Sequence, residues 1–220
     1  MLLVMGLEGS VVRQRPTGSW ISSQYRWGTM ASRYPGVLDP SRPKAPAVAE
    51  ADLVRRYLAA FGPVTTTDVA WWTGWGMTRA RKALAAVGAI EVRLETGEGW
   101  LSPDDEPAIS TGSEPAVVFL PGLDPTAMGW KDRAFYLAPE LMERLFDRNG
   151  NAGPTVWLDG RVVGGWVQMS DGSIVTELLD PAATAHRREI DREAERTAAM
   201  FGDIRHRVRF PAPLQRDVYV

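Results

Sequence analysis

Between residues 48 and 61 the apolar positions fall at Leu53, Val54, Tyr57, Leu58 and Phe61, a spacing that predicts a helix with one apolar stripe. Gly62-Pro63 stops it. In "TTTDVAWWTGW" Thr66 or Thr67 is expected to cap a short second helix that Gly74 closes. Thr78 is expected to cap a third, "RARKALAAV", which ends at Gly88. The pattern then changes period. Ile90, Val92 and Leu94 alternate onto one face, "TGEG" turns the chain, and "WLS" returns antiparallel.

Three helices followed by a two-stranded hairpin is the order of a winged helix, whose third helix is the one presented to a DNA groove. The exposed side of that third helix carries Arg79, Arg81 and Lys82, and the hairpin carries Arg93. A solvated surface helix carries such charges too, so the pattern alone leaves both readings open.

"GSVVRQRPTGSWISS" (9–23) resembles "GAIEVRLETGEGWLS" (88–102): the interval from Gly9 to Thr17 equals that from Gly88 to Thr96. Residues 1–27 therefore read as the end of an earlier winged helix, with Met1 to Leu7 closing its third helix. Val11 to Arg15 and Ser19 to Arg26 form its wing. Arg13, Arg15 and Arg26 interleave there with Trp20, Tyr25 and Trp27, a mixture suited to phosphate contact and packing. The plainer alternative is a hairpin that covers a core. A Pro-rich stretch without helical period, 28–47, links this piece to the winged helix of 48–103.

Beyond the acidic, turn-rich segment 103–115 the character changes. "AVVFL" (116–120) predicts a buried strand, and Asp159-Gly160 joins "PTVWL" to "RVVGGWVQM" as a hairpin. "SDGS" leads into a third strand of this meander. Gly164-Gly165 marks a bulge of the kind found where a sheet curls into a barrel. Asp180-Pro181 opens a helix to about Phe201 with Ile190, Ala194, Thr197, Ala198 and Phe201 on one side, and "IRHRVRF" closes as a strand. The fold class expected is α+β: a partial and a complete winged helix, then, over 104–220, a small curled sheet or barrel with a packed helix.

Composition narrows the chemistry. The 220 residues contain no cysteine, which excludes disulfides and thiolate catalysis and fits a cytoplasmic setting. "MLLVMGL" is too short for a signal-peptide core, and no apolar run has membrane-spanning length. Net charge is −2, but residues 1–103 carry a balance of +4 and the remainder −6, which favours a nucleic-acid face on the first half. The two histidines, His186 and His206, stand apart, so no metal site is expected. "NGNAG" (149–153) admits an anion-binding nest or a tight turn, and the turn is the better fit to a following strand.

"SSQYRW" (22–27), "LVRRYLAAFGPVTTTDVAWWTGW" (53–75), "LDPTAMGWKDR" (123–133) and "DRNGNAGPTVWLDGRVVGGW" (147–166) together resemble a bacterial family of winged-helix DNA-binding proteins. That family includes DNA glycosylases that remove bulky alkylated bases and unhook interstrand crosslinks. The resemblance covers essentially the whole chain and implies tandem winged helices followed by a C-terminal β-barrel. It also implies double-stranded DNA as partner and metal-free hydrolysis without a cofactor. The family's catalytic pair is a Gln-x-Gln or Gln-x-Asp motif in the first winged helix, where it positions the water that attacks the sugar carbon. The present chain begins after that region. Among Gln14, Gln24, Gln168 and Gln215, only Gln215-Arg216-Asp217 has the spacing, and it stands at the wrong end. No catalytic residue is therefore assigned.

One further group is a candidate pocket for an extruded base: Asp124, Trp130, Lys131 and Arg133, an aromatic among acids and bases. The alternative, favoured in a chain without the catalytic pair, is a loop pinned by ion pairs with Trp130 packed beneath the sheet. The expected function is duplex-DNA binding through Arg79, Arg81, Lys82, Arg93, Arg13, Arg15 and Arg26. A glycosylase with its catalytic residues upstream of Met1, and a non-catalytic protein-interaction scaffold, are the alternatives. Oligomeric state is not legible.

Overall fold

The computed structural model describes residues 1–18, 22–37, 44–105, 115–206, 208 and 210–218. It is α+β with antiparallel sheets throughout, and its contacts divide it into two compact units, Met1–Ala49 and Glu50–Val220.

In the first unit, α1 (Leu2–Leu7) leads into a hairpin of β1 (Val11–Pro16) and β2 (Tyr25–Thr29), followed by the short α2 (Met30–Arg33). Ser19, Trp20 and Ile21, expected in the return strand, lie outside the described residues; the strand itself starts at Tyr25. The stretch 28–47, read as free of helix, contains α2, which Thr29 caps by accepting from the Ser32 N–H at 3.3 Å. It also holds the start of α3 (Pro46–Phe61), the helix on which the chain passes into the second unit.

After α3 come α4 (Thr66–Thr73), α5 (Met77–Ala86) and the hairpin of β3 (Ile90–Leu94) and β4 (Gly97–Leu101). Their core consists of Val54, Tyr57 and Leu58 from α3, Val64, Val69 and Ala70, then Ala80, Ala83, Leu84 and Val87. Leu53, placed in the apolar stripe from its spacing, is 37% exposed, on the flank of α3. Val64 exchanges backbone hydrogen bonds with Trp100 at 3.0 and 2.7 Å, tying the segment between α3 and α4 to the hairpin. Two caps differ from expectation. Thr65, not Thr66 or Thr67, caps α4, because Asp68 three residues on completes a capping box. Gly76, not Thr78, precedes α5 and supplies no side-chain cap.

The two halves of the sequence repeat share one backbone device. Gly9 and Gly88 both follow a helix with positive φ, 74° and 67°. Just beyond each, a backbone N–H reaches back into the helix, Ser10 to Met5 O at 2.9 Å and Ala89 to Leu84 O at 3.1 Å. Strands begin two residues after each glycine, at Val11 and Ile90. The hairpins then diverge: β3 and β4 pair in regular register around Glu95-Thr96, whereas β1 and β2 carry an irregularity between Arg13 and Pro16.

The last part of the second unit holds one sheet in the order β5 (Val117–Leu120), β6 (Thr155–Leu158), β7 (Arg161–Gln168), β8 (Ile174–Leu178). Asp159 and Gly160 adopt φ of 49° and 78°, the left-handed pair that a two-residue hairpin loop needs. The bulge falls where the glycines predicted it: Val156 pairs with Gly164 and Trp157 with Val162, leaving Val163 extra. A Cβ on Gly164 would lie 2.1 Å from Glu177 O, so only glycine lets β8 approach.

The sheet does not close into a barrel; β5 and β8 stay its two edges. Nor is a closing strand formed among the described residues of 204–210 (Arg207 and Arg209 lie outside them). Instead the buried Gln168 amide donates to Ile204 O at 3.0 Å and accepts from the His206 N–H at 2.7 Å, taking the bonds a partner strand would have made. Helix α8 (Arg187–Phe201) lies against β5 and β8, burying Ile190, Ala194 and Thr197 with Ala198 and Phe201 at its margin. A 3-10 turn, Pro181–His186, occupies the first part of the helix expected from Asp180-Pro181. On the side of Trp157 and Val162 pack α6 (Pro125–Met128), α7 (Met142–Leu145) and α9 (Pro213–Val218), short helices with no apolar period long enough to read. Among the described residues no helix is long and apolar enough to cross a membrane.

Candidate nucleic-acid interface

Helix α5 buries Ala80, Ala83 and Leu84, a one-sided pattern that turns Arg79, Arg81 and Lys82 to solvent. The structure sends the three in different directions. Arg79 stacks over the Trp75 ring at 4.4 Å and pairs with Glu50 through Nε and Nη2 at 2.9 and 2.7 Å, so its charge is already half answered. Arg81 enters a cleft of about 560 Å³ lined by Thr65, Thr66 and Thr67, by Thr96 and Glu98 of the hairpin, and by Lys131 and Asp132. Lys82 is exposed and makes no hydrogen bond or ion pair among the described residues.

Asp68, which no sequence signal singled out as functional, forms the floor of that cleft. Its Oδ2 accepts from the Thr65 N–H and hydroxyl at 2.8 and 2.7 Å, and its Oδ1 from the backbone N–H of Lys131 at 2.8 Å. The only legible hint was its position three residues after a threonine. Glu98 and Asp132 add negative charge, so the cleft is mixed in sign rather than a phosphate clamp.

The hairpin arginine is likewise moderated. Arg93 stands directly opposite Glu98 across the strands, with Glu91 two residues before it on the same face. In the first unit the balance is different. Arg13, Arg15 and Arg26 are all exposed, and Arg15 and Arg26 share a hollow with Arg33, an arginine the sequence reading left out. Among the described residues no group of three or more His, Asp or Glu side chains is placed to hold a metal ion.

A family model described as DNA glycosylase AlkZ-like matches residues 1–200. The chain belongs to the AlkZ-like DNA glycosylase family. Among solved structures it is similar to the Streptomyces sahachiroi DNA glycosylase AlkZ, with 21% identity and a TM-score of 0.65 over 87% of the present chain. The chain spans 53% of that protein's length. No curated protein sequence is matched.

The Gln-x-Asp match at Gln215 is structural. Gln215 is fully buried, accepts from the Ala212 N–H at 3.2 Å and donates to Pro154 O at 3.3 Å, while Asp217 pairs with Arg144. The four residues named as a candidate base pocket make separate contacts. Asp124 caps α6 through the Thr126 N–H at 2.8 Å. Trp130 packs edge-on against Phe61 and Phe135 and donates from Nε1 to Phe61 O at 3.1 Å. Arg133 lies between the rings of Trp71 and Phe146, 5.6 and 5.0 Å away. Only Lys131 faces the cleft. The backbone at 149–151 is a turn closed on Asp147, which accepts from Asn149 N–H, Asn151 N–H and Asn151 Nδ2 at 2.8 to 2.9 Å. Those bonds, the Asn151 side chain first among them, hold the Asp147 carboxyl below its ordinary range and leave no nest for an outside anion.

Proposed function

We propose that this chain binds duplex DNA within an AlkZ-like glycosylase. In this reading 48–103 is a winged helix that presents α5 to the groove, and 1–27 is the wing end of a second one. Residues 28–47 connect them, and 104–220 is a supporting C-terminal domain. The observation that carries it is the one-sidedness of α5 in a member of a DNA glycosylase family: every basic residue of that helix is on the solvent side and none is spent in the core. Arg81 and Lys82 contact phosphates or groove edges, Arg79 contributes once Glu50 releases it, and Arg93 contributes less because Glu91 and Glu98 surround it. The affinity is in the roughly micromolar range of non-specific binding and falls steeply with salt.

Family membership also favours a second reading, base excision with the catalytic pair supplied by chain outside these residues. The test of the first is fluorescence anisotropy of a labelled duplex across salt concentrations, beside the triple alanine variant at Arg79, Arg81 and Lys82. Weakening with salt, and further weakening in the variant, is the expected result. Binding unchanged on charge reversal of the three would instead mark a protein-interaction scaffold. Excision from alkylated duplex by a longer, in-frame form, with none by this chain, would support the second.

A further inference from the structure

Across the first hairpin, Arg13 pairs with Trp27 and Pro16 with Tyr25, so two residues, Gln14 and Arg15, stand opposite the single Arg26. Regular alternation would keep Arg13 and Arg15 on one face and Arg26 on the other. The extra residue carries Arg15 across. The guanidinium of Arg13 stays behind, 4.3 Å from the centre of the Tyr25 ring. On the opposite face Arg15 and Arg26 line a hollow of about 300 Å³ together with Gln14, Thr17 and Arg33, the last residue of α2. Gln14 lies flat over Gly28, where an added Cβ would meet its Nε2 at 2.3 Å.

Among the described residues no carboxylate lines this hollow, and none of the Arg15, Arg26 and Arg33 guanidiniums makes an ion pair or hydrogen bond. Three guanidiniums around one small hollow repel one another, and a bound anion with several acceptor oxygens relieves that repulsion. We propose that the hollow is a phosphate site: a phosphate group accepts from Arg15, Arg26 and Arg33, with the Gln14 amide as an additional donor. The oxygens of a phosphate offer acceptors to more than one planar guanidinium fork at once, which a single carboxylate does less well. The source we infer, a DNA backbone phosphodiester, rests on the duplex-DNA reading above; the site itself does not.

Arg13 provides a control of the same charge, two residues from Arg15 but on the other face. The test follows arginine Nε–Hε resonances of the full chain during titration with inorganic phosphate and, separately, with a short duplex. Anisotropy across salt is measured for Arg15→Gln, Arg33→Gln, Arg13→Gln and Arg187→Gln. Both titrations are expected to shift Arg15, Arg26 and Arg33, and inorganic phosphate to leave Arg13 unshifted. Arg15→Gln and Arg33→Gln should each lower the salt slope by about 0.9, the value of one phosphate contact, while Arg187→Gln, whose charge Asp191 already pairs on α8, leaves it unchanged. Phosphate shifting the three resonances while a bound duplex leaves them alone would uphold the site but make its ligand a free phosphate. Silence of the three toward phosphate, with equal weakening of duplex binding by Arg13→Gln and Arg15→Gln, would overturn the site and leave DNA binding standing. If the wild-type chain bound no duplex, the duplex reading would fall and the phosphate titration alone would decide the site.

Discussion

Asp68 and Lys131, 63 residues apart, are joined by a hydrogen bond of 2.8 Å from the Lys131 backbone N–H to the buried Asp68 carboxylate. The same carboxylate closes the capping box of α4, so one side chain fixes both the helix start and the loop that brings Lys131 to the cleft. Asp68→Ala removes the cap and strands the N–H groups of Thr65 and Lys131. The expected loss is about 3 kcal/mol of unfolding free energy in urea, well beyond the ~1 kcal/mol of a cap alone. A loss no larger than a cap's would show that the Lys131 bond contributes nothing.

Trp130 separates a base-stacking role from a packing role. Its ring lies between Phe61, Phe135 and Tyr136, and its N–H is used on Phe61 O. Trp130→Phe keeps an aromatic face and should cost about 1 kcal/mol of stability through the lost hydrogen bond. Trp130→Ala should cost about 4 kcal/mol. Duplex affinity of the phenylalanine variant, measured by anisotropy while it is folded, should equal that of the wild type.

The elements legible from sequence were those with a period or a compulsory turn. The apolar stripe of α3, the alternation of β3, the Asp159-Gly160 loop and the Gly164 bulge each follow from a local rule, and each was found. Non-local pairing was not legible. Residues 204–206 have the composition of a strand, yet a side-chain amide from β7, Gln168, takes their hydrogen bonds. The site divided the same way. The solvent face of α5 follows from helical spacing, but the Glu50 partner of Arg79 is 29 residues away in sequence. The shift of Arg15 toward Arg26 depends on one extra residue in a register that only the paired strands reveal.

Glu50 offers a direct handle on Arg79. The pair is more than half exposed on the arginine side, so it adds little to stability, but it offsets a charge that faces the proposed interface. Glu50→Gln should tighten duplex binding severalfold at low salt, with the two curves converging at high salt. Arg79→Ala should weaken binding less than Arg81→Ala or Lys82→Ala does, because its charge is already matched. The reverse order in anisotropy would mean that Arg79 leaves Glu50 without cost when DNA arrives.

Two buried tyrosines set an alkaline limit on stability. Tyr57 donates to Gly129 O at 2.6 Å and Tyr136 to Ala127 O at 3.1 Å. Burial, with Asp68 adding to it, pushes the Tyr57 hydroxyl far above its ordinary range. Burial likewise raises Tyr136 from 10.0 to about 12, against the opposing pull of Arg133. In the unfolded chain both ionise near the ordinary value, so above it the unfolded state has lost protons that the native state retains. Their contribution is therefore complete below about pH 10 and is lost as pH rises toward the folded values. Urea midpoints should hold until about pH 10 and then fall. Tyr136→Phe should cost about 1 kcal/mol at neutral pH through the lost hydrogen bond, yet lose less between pH 10 and 12 than the wild type does. A double Tyr57→Phe, Tyr136→Phe variant should be flatter still. Equal alkaline slopes in all three proteins would show that these two hydroxyls do not set the limit.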